Sequence, residues 1–130
     1  MSTFNPVVHF EMPYKNSDRM VNFYSKVFNW KMNKLGKEMN NYVLAYTAET
    51  DEDNMVQTKG AINGGFFPEE QNRSIPSIVI EVEDIQVAIS KITESGGIVL
   101  GKPIDVPGIG QYISFTDTEG NNVSVLQPSM

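Results

Sequence analysis

One order of apolar runs, capping residues and turns is written twice along this chain, and that duplication constrains the fold more than any single residue does. From the amino terminus, Asn5 to Met12 is a β-branched and aromatic run closed by Pro13, which predicts a strand. Side chains alternate along a strand, so Val8, Phe10 and Met12 share an apolar face while Val7, His9 and Glu11 share a mixed one. Ser17 as N-cap and Asp18 in the first turn open a helix. Its Met20, Phe23, Tyr24, Val27 and Phe28 recur at helical spacing, as a core-facing stripe does. Trp30 to Leu35, Asn41 to Thr47 and Val56 to Phe67 then read as strands, with an acidic stretch from Glu49 to Asp53.

The polar stretch Pro68 to Ile75, PEEQNRSI, reads as a linker, after which the pattern restarts. Ser77 to Glu83 predicts a strand with Ile78, Ile80 and Val82 on one face and Ser77, Val79 and Glu81 on the other. Asp84 caps a helix striped by Ile85, Ala88, Ile89 and Ile92 and stopped by Gly96 and Gly97. Ile98 to Val106, Gln111 to Thr116 and Asn121 to Gln127 supply further strands, split by turns at Pro107 to Gly110 and Thr118 to Gly120. Each half is βαβββ. The expectation is an α+β fold in one domain: two βαβββ modules, 1–67 and 76–130, joined by linker 68–75, forming a curved mixed sheet around a cavity. A single module is too small to bury both sheet faces. With helices outside, the concave face is where a small-molecule ligand belongs.

Composition narrows the partners. With 10 basic and 16 acidic residues the net charge is −6, which gives no general attraction to phosphate backbones or anionic lipid, so neither nucleic acid nor a membrane surface is expected. The chain has no cysteine, hence no disulfide framework, thiolate nucleophile or Cys-ligated metal. The amino terminus, MSTFNPVVHFEMP, has neither a basic n-region nor a long apolar core, so a cytoplasmic location is the expectation.

Four segments, VVHFEMP, FYSKVFNW, IEVEDIQVAISKITESGG and SFTDTEGNNVSVLQ, resemble hallmark stretches of the glyoxalase, bleomycin-resistance and extradiol dioxygenase (vicinal oxygen chelate) superfamily. The likeness runs over nearly the whole chain. FYSKVFNW is similar to the family's FY-x-x-V-x-G-W ending of the first helix, with Asn29 standing where glycine is common and able to adopt the same left-handed conformation. The D-x-E-G-N turn, with Gly120, leads into the last strand as it does in the family.

In the metal-dependent members, the resemblance implies, His or Glu side chains from the first and last strands of the modules hold the ion. Those positions fall here on His9, Ser77 and Ser124, and on a stretch between Gly60 and Gly65 that contains no acid or histidine. Catalytic zinc normally has three protein ligands. No metal cofactor is therefore expected; the remaining route to a divalent ion combines His9 with Glu11 and Glu81.

The same face presents His9, Glu11, Tyr46, Ser77, Glu81, Tyr112 and Ser124 as ligand-pocket candidates, with no catalytic residue singled out. His9 reads either as a hydrogen-bonding pocket or core residue or as a proton-transfer group. Glu11 and Glu81 read equally as pocket groups or as strand-end residues facing water. Gly108-Ile109-Gly110 is a plain turn, since a strand and not a helix follows. Arg73, in the linker, reads as an isolated, solvated arginine or as a contact for an anionic ligand, and Phe66 with Phe67 as the rim of a cavity or a subunit interface.

Three functions fit: a metal-free protein that binds or sequesters an aromatic or cationic compound, a metal-dependent glyoxalase-type lyase or isomerase, or a structural subunit whose cavity its own side chains fill. The enzyme would act on a small carbonyl or thiol-linked substrate, with Glu11 or Glu81 as base. The first ranks highest, because losing ligands removes the metal's Lewis acidity and leaves the cavity. A homodimer, with or without exchange of modules, is compatible with the exposed aromatics.

Overall fold

The computed structural model describes residues 4–53, 55–71 and 73–129. Asn72 of the expected linker, Met1 to Thr3 and Met130 lie outside them. The fold is α+β, and the elements follow the βαβββ order twice. The first run is β1 (Val7–Tyr14), α1 (Ser17–Phe28), β2 (Lys31–Lys34), β3 (Val43–Tyr46) and β4 (Asn63–Pro68). The second is β5 (Ser77–Glu81), α2 (Ile85–Glu94), β6 (Ile98–Val106), β7 (Gly110–Thr116) and β8 (Asn122–Pro128). Residues 9–76 make one compact unit; residues 77–129 make the other, together with the described residues before His9.

In the 9–76 unit the strand order is β2-β3-β4-β1, antiparallel except for the parallel β1–β4 pair. The apolar face of β1 behaves as its alternation demands. Phe10, Met12 and Tyr14 pack on buried Val43, Ala45 and Phe66, together with Met20, Val21 and Tyr24 of α1. Aromatic geometry fixes that corner. Tyr24 stacks on Trp30 at 4.8 Å between centroids, and Phe10 meets Phe66 edge to face at 6.3 Å. Such pairs add about 0.5–1.5 kcal/mol beyond the area they bury.

Several local readings need correction. Asn16, not Ser17, is the N-cap: its side chain accepts from the Arg19 N–H, so Ser17 is the first helical residue. Asn29 does end α1 in the left-handed region, at φ 62°. The buried arc of α1 centres on Met20, Val21 and Tyr24, which leaves Phe23, Val27 and Phe28 on its exposed flank. β1 runs through Pro13, whose ring suits extended backbone, and pairs it with Phe67. The expected strand from Val56 breaks up: Val56 makes only an isolated bridge to Thr50, and Gly60 turns the chain at φ 82° before β4 begins.

The other unit has the order β5-β8-β7-β6, with β5 and β8 parallel. The lead-in to β1 belongs to it, because Pro6 O accepts from the Glu81 N–H at 2.9 Å. Asp84 caps α2 through the Gln86 and Val87 N–H groups. Ile85, Ala88 and Ile89 then pack with Ile80, Val82, Ile113 and Val125. Gly96 and Gly97 close the helix, their N–H groups bonded to Thr93 O and Ile92 O. In both units the helix covers one strand face, so the opposite face carries the polar residues. No helix among the described residues is long and apolar enough to cross a membrane.

Candidate functional site

The register of β1 against β4 sets the polar face of the 9–76 unit. His9 lies beside Asn63, Glu11 beside Gly65 and Pro13 beside Phe67. Alternation on β3 adds Tyr46 to this face and aims Tyr42, just before that strand, the same way. Glu11 is 6% exposed, and a carboxylate so buried needs partners. Tyr42 Oη donates to its Oε2 at 2.9 Å, and Arg73 Nη2 donates to its Oε1 at 3.2 Å. The Arg73 guanidinium also lies over the Phe67 ring, 3.8 Å from the centroid. Arg73 is thus not a solvated linker residue, as its isolation in the sequence suggested. It pins the polar stretch after β4 onto the strand face. Phe66 and Phe67 are both buried, and Phe66 lines the larger of the two hollows described below.

His9 is oriented by the backbone. Its Nδ1 lies 3.0 Å from Asn63 O, and a carbonyl only accepts, so Nδ1 carries the hydrogen. The neutral ring then offers a lone pair at Nε2, which has no hydrogen-bond partner among the described residues. The Asn63 side chain is spent locally: Oδ1 accepts from the Thr47 N–H at 2.7 Å and the Ala48 N–H at 3.3 Å. That amide stands beside His9, in the stretch where a fourth ligand was sought, and it faces the loop after β3.

In the 77–129 unit the face opposite α2 carries Ser77, Val79 and Glu81 from β5, Ser124 from β8, and Tyr112 and Ser114 from β7. Ser124 is 2% exposed, with its Oγ 2.8 Å from Tyr112 Oη and 2.8 Å from Ser114 Oγ. Ser77 Oγ donates to Asn122 O at 3.0 Å. The Glu81 carboxylate has no hydrogen bond or ion pair among the described residues.

His9, Glu11 and Tyr46 therefore share one face, and Ser77, Glu81, Tyr112 and Ser124 share the corresponding face of the other unit; of these, Tyr112 and Ser124 touch. Sequence reading missed Tyr42, Asn63, Ser114 and Asn122. The parity that selected Tyr46 also selects Tyr42, so that signal was present. Asn63 and Asn122 gave none, since their amides matter through register. Two surface hollows, of about 550 and 580 Å³, open around Tyr14, Lys15 and Glu69, and neither includes any of the seven candidates.

These donor sets do not suit a divalent ion. Among the described residues no three His, Asp or Glu side chains come together. Glu11 already carries a cation, and the Ser77 and Ser124 hydroxyls, poor ligands in any case, are engaged with neighbouring strands, Ser77 with Asn122 O of β8 and Ser124 with Tyr112 and Ser114 of β7.

The comparisons place this geometry in a class. The model for the Glyoxalase/Bleomycin resistance protein/Dioxygenase superfamily matches residues 7–125, and the chain belongs to that superfamily. It is 29% identical over 124 residues to a glyoxylase-like domain-containing protein of Didymella fabae, a match covering 88% of each. CFP32 of Mycobacterium bovis, which carries a glyoxylase name, is 31% identical over 52 residues, 40% of this chain and only 20% of that protein. The chain thus spans about a fifth of that relative's length in the match. Among solved structures, a variant of Streptomyces coelicolor methylmalonyl-CoA epimerase in complex with 2-nitronate-propionyl-CoA has a TM-score of 0.70 at 14% identity, covering 98% of this chain and 100% of that one. A hypothetical protein from Bacillus halodurans has a TM-score of 0.69 at 14% identity, covering 97% and 96%. These likenesses establish the fold.

Proposed function

We propose that this chain is a small-molecule binding or sequestering member of the superfamily that holds its ligand with its own side chains and not through a bound divalent ion. One observation carries the reading. Glu11, two residues from His9 on the same strand face, is paired with Arg73 and hydrogen-bonded by Tyr42, so a metal would have to displace a buried ion pair to use it. Breaking such a pair costs about 3–5 kcal/mol when it is fully buried. The polar groups left to meet a ligand are His9 Nε2 and Tyr46 on the 9–76 unit and, taken by itself, the 77–129 unit's Glu81 with the Tyr112 and Ser114 hydroxyls. An exposed apolar flank on α1, Phe23, Val27 and Phe28, supports assembly as a homodimer within the same reading.

A second reading has two observations in its favour. The fold matches an epimerase solved with an acyl-CoA analogue, and an oriented imidazole with an open Nε2 is what a proton-transfer enzyme needs. In that case His9 or Glu81 would act as base on a small carbonyl or thiol-linked substrate.

Elemental analysis of protein purified without added metal or chelator, paired with an assay on methylglyoxal and thiol cofactors, separates the two. The binding reading expects substoichiometric metal and no turnover. One equivalent of nickel, zinc or iron with turnover would establish the enzyme.

A further inference from the structure

The larger hollow, of about 580 Å³, is lined wholly by residues of the 9–76 unit and lies on the side of β1 away from His9 and Glu11. Strand alternation explains its floor. Met12 turns towards α1 and stands beside Phe66 of β4 in register, while Met20 and Tyr24 come down from the helix. Phe66 is buried, and the other three are half-buried, so an apolar floor is open to solvent between the first turns of α1 and the end of β1. Phe23, 54% exposed, stands at the rim.

The walls are held by the protein's own bonds. Tyr14 Oη donates to Asn41 O at 2.7 Å, and the Glu69 N–H donates to Tyr14 O at 2.9 Å, which ties the segment after β4 to the end of β1. The Asn16 side chain is occupied by the Arg19 N–H. Charge sets the preference of the rim. Lys15 and Arg19 line it with a single acid, Glu69. Glu69 Oε2 is 4.0 Å from Lys15 Nζ, a long, exposed pair of the kind worth about 0–1 kcal/mol, so Lys15 is easily drawn to another anion. Asp18, next to Arg19 in the chain, pairs with Lys34 instead. Two cations against one acid leave the rim positive on a chain whose net charge is −6.

We propose that this hollow is a second ligand site, separate from the polar strand faces, that takes a small carboxylate with an apolar tail. The tail lies on Met12, Met20, Tyr24 and Phe66, and the anionic head meets Lys15 and Arg19. The volume falls within the range of about 300–1,000 Å³ usual for small-molecule sites. Two methionines let the floor adapt to the tail, so the rim's charge, not the floor's shape, does the selecting. A neutral or cationic analogue with the same tail keeps the floor contacts and forfeits the head-group attraction.

The probes are octanoate, octanol and octylamine, titrated into the full chain isotopically labelled at its methionine methyl groups and followed by NMR. Octanoate is expected to shift the Met12 and Met20 signals saturably, with a Kd on the order of millimolar, and to bind about fivefold more tightly than octanol, the margin exposed cations give. Octylamine should be the weakest of the three. Lys15→Gln combined with Arg19→Gln, both at exposed positions, should leave the fold intact and bring acid and alcohol within about twofold of each other. Salt at about 0.5 M should do the same to the parent by screening. Phe23→Ala should weaken acid and alcohol alike, by about threefold. Equal affinity of acid and alcohol for the parent, a preference that survives the double substitution, or saturable shifts confined to other methionines overturns the inference. Silence from all three probes overturns it as well, and a dimer in sedimentation that Phe23→Ala breaks would then make a second copy the occupant. The reading of the strand faces stands apart from each of these outcomes.

Discussion

The ring of Tyr42 fills the space a side chain at Gly65 would need, since a Cβ there would run into the ring's Cε2, Cζ and phenolic oxygen. The bare position on β4 lets Tyr42 cross the strand and reach Glu11, its neighbour in register, with a 2.9 Å hydrogen bond. The carboxylate's burial thus depends on a missing methyl group on the adjacent strand.

Gly65→Ala is expected to cost about 2–4 kcal/mol, an overpacking penalty plus loss of the Tyr42 hydrogen bond. Tyr42→Phe, which keeps the ring, should cost about 1 kcal/mol. In a Tyr42→Ala background the alanine at 65 should be nearly neutral. Urea denaturation of the single and double variants measures the coupling. Additive costs would mean that Tyr42 does not depend on the glycine.

Arg73→Ala strands Glu11 without its cation. The cost should be about 2–3 kcal/mol, below the range for fully buried pairs because the Arg73 side chain is 34% exposed. Arg73→Lys keeps the charge but loses the flat stack on Phe67 and should fall between. Replacing both partners, Glu11→Leu with Arg73→Met, should recover most of the loss, as apolar substitutes for buried pairs often do. Denaturation midpoints report all three.

His9 is the chain's single histidine, so one set of imidazole signals reports on it. With Nδ1–H committed to Asn63 O, nitrogen shifts at a pH where the ring is neutral should show Nδ1 protonated and Nε2 bare. The opposite tautomer would remove Nε2 as an acceptor for any ligand.

Asp117 organises the turn before β8. The Asn121 side chain, then the Asn121 and Glu119 N–H groups, hold its carboxyl below the ordinary aspartate value of 3.8. A depressed folded value means the stabilisation is full above the unfolded pKa and is lost as pH falls through the folded one. Asp117→Ala should therefore be less stable than the parent at neutral pH, with the gap closing below about pH 4. A gap unchanged down to strongly acidic pH would show that the charge is not responsible.

Element order, helix stripes and face parity were legible in the sequence because periodicity is a local property. Asp84 and Asn29 announced their caps, and the alternation in VVHFEMP placed His9 and Glu11 together away from the helix. The partners of those residues were not legible. Arg73 is 62 positions from Glu11 and Tyr42 is 31, so only the fold could bring them to one carboxylate. Asn63 was one position within the expected Val56 to Phe67 strand, and only register set it beside His9. The long strand expected from Val56 failed for a local reason, a left-handed glycine at position 60.

Calorimetric titration of nickel or zinc into metal-free protein, alongside His9→Ala, tests most directly whether His9, Glu11 and the strand-face serines are held by the protein's own groups rather than by an ion. No one-to-one uptake at micromolar metal is expected, since one imidazole offers a single donor and Glu11 is held by Arg73. Tight, stoichiometric binding abolished by His9→Ala would contradict the account.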